Sequence, residues 1–177
     1  MKKLTFSFPV LIIVLSILFS CAQNTKDADV EADIAAINEL VANYFRYANA
    51  LNLDSFMTAF ADNAIRAEPG LPSIIGKDNI RERFRIIWDE ADFKISQYGE
   101  VIIEVCGDQA FTYRLATLSS FPGEGEPAIH TDMKVLTVFK RQADGSWRIY
   151  IDCVNLHPTW SKDSIPSEMV EEQSPYY

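Results

Sequence analysis

The stretch from Asn43 to Gly70 carries two side chains whose types and spacing could do acid–base chemistry. Tyr44 supplies a phenol that can donate a hydrogen bond, and Glu68 supplies a carboxylate that can accept a proton. The segment reads as the end of one helix, a second short helix and a first strand that ends at Glu68, before Pro69 and Gly70. These elements could converge on one pocket, so Tyr44 and Glu68 form the candidate catalytic pair.

Two other groups of polar residues offer weaker chemistry. His130 and Asp132 are spaced for one face of a strand, but no third ligand accompanies them, so no metal site is predicted. Arg81, Arg83 and Arg85 are predicted to form a solvated helix face diluted by neighbouring acids. The sequence has no nucleophile–base triad, phosphate-binding loop or cysteine–histidine metal pattern, and no cofactor is expected.

Three helices are predicted to position the candidate pair. From Val30 to Leu51, apolar residues recur at steps of three and four, which predicts a long amphipathic helix with Tyr44 on its buried face. Asn52 supplies a capping side chain for a short second helix. A third helix is predicted to begin near Gly76, before an apolar stripe that includes Trp88.

Strands account for the rest of the domain. A first strand covers residues 64–68, and four more are predicted at roughly 93–105, 109–121, 129–142 and 147–156. Most of the later turns are short, which implies an antiparallel meander. The predicted fold class is therefore α+β, with a curved antiparallel sheet wrapped around three N-terminal helices.

The alternation of the last two strands predicts an apolar pocket. Met133 and Val135 share one face of their strand, and Ile151 and Cys153 share the face of the last strand that should point at the helices. The predicted lining is apolar, apart from the candidate pair: Val41, Phe56, Phe60, Trp88, Met133, Val135, Ile151 and Cys153.

The two ends of the chain are predicted to lie outside the folded domain. Residues 1–20 carry two lysines before an apolar run that Pro9 interrupts, which is short for a membrane-spanning helix and resembles a bacterial lipoprotein signal with Cys21 as the lipidated residue. Residues 21–29 are predicted as a tether, 30–157 as one domain and 158–177 as a tail. This predicts a location in the bacterial cell envelope, on the periplasmic or outer-membrane face, with the lipid on Cys21 as the sole membrane contact.

The net charge argues against some classes of partner, and the positions of the cysteines argue against a disulfide. The formal net charge of −9 repels phosphate backbones and anionic lipid headgroups, so nucleic-acid binding is not expected. Cys106 and Cys153 are placed three strand positions apart, which is roughly 14 Å at about 4.8 Å per strand and beyond the reach of a disulfide. Buried free thiols are predicted instead.

Several spaced motifs resemble the SnoaL-like branch of the nuclear transport factor 2-like superfamily. They are Tyr44 with the later FADNA and EPG segments, IIGKDNI after them, and DGSWRI before the last strand. The resemblance covers roughly residues 30–155 and implies a cone-shaped domain with a pocket between sheet and helices. Function does not follow from it, because the superfamily includes isomerases, dehydratases, cyclases and noncatalytic binders.

Ketosteroid isomerase is the closest chemical parallel within that superfamily. The segments around Tyr44 and Glu68 are similar to those that provide its hydrogen-bond donor and its general base. In such a pair the base removes a proton, and the donor stabilises the oxygen of the enolate that forms. The second acid of that enzyme has no counterpart among the residues predicted to point inward. Asp132 could serve only if a bulge reversed the local alternation.

Two functions therefore stay open. The first is a noncatalytic envelope lipoprotein that binds a small hydrophobic molecule in its pocket. The second is a cofactor-free isomerase, cyclase or dehydratase with Glu68 as base and Tyr44 as hydrogen-bond donor. A homodimer through the outer sheet face, near Tyr150, is expected in either case.

The lipid anchor leads to a first prediction. Cys21→Ala removes the thiol that would be acylated, so the protein should move from the membrane fraction to the soluble fraction of cells. Fractionation followed by immunoblotting measures this. Continued membrane attachment of the Cys21→Ala variant would show that the anchor prediction is wrong.

Overall fold

The computed structural model describes residues 8–90, 92–123 and 126–157. The predicted tail, residues 158–177, and the first seven residues of the predicted signal lie outside the described residues. Within the described part, no helix has both the length and the apolar character that a membrane crossing requires.

Three helices and six strands make up the described chain. The helices are α1 (Phe8–Asn49), α2 (Leu53–Met57) and α3 (Lys77–Glu90). The strands are β1 (Phe60–Ala67), β2 (Ile74–Ile75), β3 (Asp92–Cys106), β4 (Gln109–Phe121), β5 (Ile129–Arg141) and β6 (Trp147–Leu156). The α+β prediction is confirmed.

Helix α1 is longer than the predicted helix. Its backbone is helical from Phe8, so residues 21–29, predicted as a tether, lie within it. The stripe that contains Val41, Tyr44 and Ala48 is buried as predicted, whereas Leu51 is exposed and lies beyond the helix. Leu51 adopts a positive φ of 51°, which stops the helix because this conformation cannot continue a right-handed turn.

Helix α2 begins at the predicted cap. The Asn52 side chain accepts a hydrogen bond from the Ser55 backbone N–H at 3.1 Å, and this satisfies one of the free donors of the first turn. The cap orients α2 so that Phe56 and Met57 are buried.

The sheet is mixed, with the strand order β2-β1-β6-β5-β4-β3. Strands β3 to β6 form the predicted antiparallel meander. Strand β1 runs parallel to β6, so the prediction of a purely antiparallel sheet was wrong at this edge. The pair is joined through α3 and the whole meander, a long connection that a parallel pair needs.

A bulge in β6 decides which residues face the helices. Phe139 pairs with Ile149 and Val138 pairs with Ile151, which leaves Tyr150 as an extra residue. The extra residue reverses the alternation beyond it, as β-bulges do. Trp147 and Ile149 point inward before the bulge, and the inward positions after it belong to Asp152 and Val154.

The predicted inward positions of Ile151 and Cys153 are therefore wrong. Cys153 pairs with Leu136, which is exposed, and Ile151 pairs with Val138, so both lie on the outer face of the sheet. The unbulged alternation used for the prediction was correct only as far as Ile149.

The main core is aromatic and lies between the helices and the concave face of the sheet. The Phe56 ring lies 4.6 Å from that of Tyr44 and 4.7 Å from that of Phe84, centroid to centroid, and Trp88 is 5.1 Å away. Near the start of the domain, Asp33 pairs with Arg141 and accepts a hydrogen bond from the Trp147 indole at 3.2 Å. These contacts fix α1 against the β5–β6 hairpin.

Cys106 and Cys153 are free, and they lie on β3 and β6, three positions apart in the strand order. Cys153 is half-buried, but Cys106 is exposed, so the prediction that both thiols are buried was wrong. Cys106 is the last residue of β3 and directly precedes the turn to β4, where side chains meet solvent.

The bulge can be tested with two isoleucines of one strand. Ile149→Ala should lower the free energy of unfolding by about 2–5 kcal/mol because its side chain is fully buried. Ile151→Ala should cost only about 1 kcal/mol, since that side chain is half-buried on the outer face. Urea denaturation of both variants measures the difference. Equal losses in the free energy of unfolding would contradict the change of face that the bulge causes along β6.

Candidate functional site

A cavity of about 460 Å³ opens between α1, α3 and the concave face of the sheet. Aromatic and aliphatic side chains form most of its wall, among them Phe56, Trp88 and Met133. Six lining residues are polar or charged: Tyr44, Arg66, Glu68, Arg83, Ser120 and Thr131. This size and composition are typical of a small-molecule site.

Tyr44 lies at the inner end of this cavity. Its side chain comes from the buried face of α1, and its hydroxyl donates a long hydrogen bond of 3.5 Å to Oδ2 of Asp152. Burial, followed by the nearby Asp152 carboxylate, raises the pKa of Tyr44 to about 12. The phenol is therefore protonated at neutral pH and acts as a donor.

Asp152 is a buried carboxylate that the sequence analysis did not select. It has no exposed surface, forms an ion pair with Arg66 of β1, and accepts a hydrogen bond from Thr137 Oγ1 of β5 at 3.0 Å. Together with Tyr44, these donors come from three different elements. The carboxylate is thus fully hydrogen-bonded, as a buried charge must be.

Glu68 is held by two arginines rather than by apolar neighbours. Its Oε1 accepts from Arg66 Nε at 2.8 Å and its Oε2 from Arg83 Nε at 3.0 Å. Burial raises the pKa of Glu68, but the hydrogen bonds and charges of Arg66 and Arg83 outweigh that effect and lower the pKa below its ordinary value. Glu68 is therefore stabilised as an anion and is less basic than an ordinary glutamate.

Arg114 extends the network deeper into the protein. Its guanidinium donates to Thr112 Oγ1 at 3.0 Å and to Thr137 Oγ1 at 3.1 Å, and it lies 5.5 Å from the centre of the Phe45 ring. It is almost completely buried, and its Nε has no hydrogen-bond partner among the described residues. Thr137 therefore connects this arginine to Asp152.

The structure brings together five of the ten predicted site residues outside the anchor. Tyr44, Glu68, Phe56, Trp88 and Met133 all line the cavity. The other five do not: Phe60 and Val135 belong to the buried core, Val41 borders a separate groove beside β3, and Ile151 and Cys153 lie on the outer face of the sheet.

The remaining polar candidates do not form a site. His130 shares a hydrogen bond with Ser119 at 2.8 Å, and Asp132 accepts one from Thr117 at 2.7 Å. Within the described ranges, no three potential metal ligands lie close together.

Sequence reasoning missed Arg66, Arg83 and Asp152. Arg66 could have been found, because it lies two residues before Glu68 within the predicted strand 64–68, where the alternation of faces puts both side chains on one side. Arg83 was assigned to the solvated side of α3, but it is only about a third exposed and bends toward Glu68. Asp152 could not have been found without the bulge.

The buried position of Asp152 gives a stability prediction. Asp152→Asn should lower the free energy of unfolding by about 3–5 kcal/mol, because it leaves the Arg66 charge without its buried partner. The matched control is Asp132→Asn, which only weakens the hydrogen bond that Thr117 donates on the opposite face and should cost about 1 kcal/mol or less. Urea denaturation at pH 7 measures both, and similar losses would contradict a central role for Asp152.

Comparison with known proteins identifies a domain family that matches this chain. The SnoaL-like domain family matches residues 30–150, well over half of the chain. No curated protein matches at a significant level.

Solved structures share the fold at low identity. A hexachlorocyclohexane dehydrochlorinase LinA-type3 from Novosphingobium barchaimii LL02 is 18% identical, with a TM-score of 0.66 over 75% of this chain and 91% of its own. A ketosteroid isomerase-like protein from Erwinia carotovora atroseptica SCRI1043 is 19% identical, with a TM-score of 0.62 over 70% of this chain and 95% of its own. A protein of unknown function from Mycobacterium tuberculosis is 18% identical, with a TM-score of 0.65 over 77% of this chain and 83% of its own.

The sequence resemblance is thus confirmed by the domain match and by the shared fold. The chain belongs to the SnoaL-like domain family and has the nuclear transport factor 2-like fold.

Proposed function

We propose that this protein binds a small, mainly apolar molecule in the cavity between α1, α3 and the sheet. The supporting observation is the cavity itself: about 460 Å³ of space with an aromatic and aliphatic wall and a fixed polar end. Removal of apolar ligand surface from water would supply the main driving force for binding.

The mouth of the cavity is also apolar. Leu71 and Leu156 line the cavity and are about half exposed, at 49% and 55%. Exposed leucines at the entrance of an apolar cavity offer an incoming ligand a continuous apolar surface.

Binding without catalysis fits the two carboxylates. Glu68 shares its two oxygens between Arg66 and Arg83, and Asp152 is fully buried with three donors around it. Glu68 held in this way is a weak base, because proton uptake would leave the charges of its arginines without their partner. The network instead holds the polar end of the cavity in one arrangement.

Filling the cavity should remove binding. Ala48→Trp places an indole in the cavity and should abolish binding of the neutral apolar probe N-phenyl-1-naphthylamine, whose fluorescence rises in apolar surroundings. Leu118→Trp, from the opposite wall, should have the same effect. Ala35→Trp, at an exposed position of the same helix, is the control and should bind normally.

Circular dichroism and thermal melting establish that each of these variants is folded. Undiminished probe binding by folded Ala48→Trp and Leu118→Trp proteins would overturn the cavity as the binding site.

A cofactor-free enzyme is the second candidate. The observation that favours it is that Tyr44 and Glu68 face one cavity, in a fold shared with the ketosteroid isomerase-like protein and the dehydrochlorinase. In this reading Glu68 takes a proton next to a carbonyl or leaving group, and Tyr44 stabilises the charge that develops.

The enzyme reading has its own test. Glu68→Gln should abolish turnover of carbonyl substrates of the steroid or polyketide type, and unchanged turnover would eliminate Glu68 as the base. Because the pKa of Glu68 is lowered, the base stays ionised as the pH falls and the rate should decline only below the ordinary glutamate pKa of about 4.3. A decline of the rate near neutral pH would point to another group.

Location and assembly complete the proposal. The domain would act at the cell envelope, attached through lipid on Cys21.

Its outer sheet face carries exposed Tyr98, Tyr113 and Leu136, which would be covered in a homodimer. Tyr150, expected to be exposed there, is half-buried beneath the Lys140 ammonium, 3.4 Å from the ring centre. Sedimentation equilibrium of Leu136→Lys against the unmodified protein tests the dimer, since an unchanged mass would exclude this interface.

A further inference from the structure

The cavity wall carries an excess of positive charge in a protein that is otherwise acidic. The whole chain has a formal net charge of −9. The charged side chains that line the cavity are two arginines, Arg66 and Arg83, and one acid, Glu68. The sign of this site is therefore opposite to that of the protein as a whole.

Glu68 pairs with both arginines of the cavity lining. Arg66 donates through Nε to Glu68 and through Nη1 to Asp152. Arg83 directs both Nε and Nη2, each at 3.0 Å, to the second oxygen of Glu68, so its Nη1 is left for another acceptor. One carboxylate thus serves two guanidiniums at the cavity surface, which leaves capacity for a further anion.

Arg114 adds a charge that has no direct partner. It is 1% exposed, its hydrogen bonds go to two neutral threonine hydroxyls, and its Nε has no partner within the described residues. An uncompensated buried cation is unfavourable, and in surroundings of low dielectric constant it raises the affinity for an anion nearby.

The other arginines of α3 do not share this property. Arg81 is paired with Asp54 at 2.6 Å, and Arg85 is paired with both Glu82 and Asp89. Neither of them lines the cavity. The excess charge of the lining therefore lies at Arg83, which is about a third exposed, and at the more deeply placed Arg66.

We propose that the ligand of this cavity is an amphipathic anion: a small monocarboxylate whose carboxylate pairs with Arg83 and Arg66 beside Glu68, while its apolar body lies against Phe56, Trp88 and Met133. This inference rests on the proposed binding function and specifies its ligand class. Arginine suits the task because its planar fork can bind two carboxylates at once through different N–H groups. The apolar wall then supplies most of the affinity, and the positive charge selects anionic ligands over neutral or cationic ones.

The experiment compares three molecules with the same apolar chain and different head groups. Isothermal titration of the full domain with decanoate, decan-1-ol and decylamine, each below its micelle concentration, separates the contribution of charge from that of apolar surface. Decanoate should bind about tenfold more tightly than decan-1-ol, which corresponds to one charge-assisted contact of about 1.4 kcal/mol. Decylamine should bind most weakly.

Two arginine variants of one helix complete the design. Arg83→Gln should remove the preference for decanoate over decan-1-ol, because the amide keeps the polarity but not the charge. Arg81→Gln, which breaks a surface pair outside the cavity, should keep the full preference. Retention of the preference in Arg83→Gln would overturn the assignment of Arg83.

The outcomes separate this inference from the proposed function. Equal affinity for decanoate and decan-1-ol, with both lost in Ala48→Trp, would overturn the anionic ligand and leave the apolar binding site standing. Tighter binding of decylamine would also overturn it. Absence of binding for all three molecules would overturn the proposed function itself, and the inference with it.

Discussion

The buried carboxylate of Asp152 is the interaction around which the domain is arranged. It lies on β6 and accepts hydrogen bonds from α1 through Tyr44, from β1 through Arg66 and from β5 through Thr137. An ion without solvent is tolerated only if its partners hold fixed positions, because each unmade contact would cost most of the desolvation energy of the charge. The long helix and both neighbouring strands are thereby held to one relative placement, beyond what their apolar packing requires.

That carboxylate points inward because of one extra residue. Tyr150 interrupts the pairing of β5 with β6, and every later side chain of β6 changes face. A strand without the bulge would direct Ile151 and Cys153 at the helices and leave Asp152 in solvent. The bulge therefore converts an apolar wall into a polar one and creates the ion network at the end of the cavity.

The network also determines what chemistry the cavity supports. Glu68 stays ionised because its arginines lower its pKa, and the buried phenol of Tyr44, whose pKa is raised, stays protonated. These two groups therefore favour hydrogen bonding and charge pairing over proton transfer. The remaining wall is aromatic and aliphatic and supplies affinity for apolar surface. The cavity therefore combines an apolar wall with a charged end, and this combination is the physical basis for proposing a binding domain and an amphipathic ligand.

The sequence by itself determined the order of the three helices and the five longer strands, the buried stripe of α1, the antiparallel meander and the choice of Tyr44 and Glu68 as the candidate pair. These follow from periods of 3.6 and 2 and from capping and turn residues, which are local properties of the chain. Only the tertiary structure decided the parallel pairing of β1 with β6, the inward turn of Asp152 and the partners of Glu68. The physical reason is that a bulge and an ion network depend on residues far apart in the chain, and no local pattern records which arginine will meet which acid.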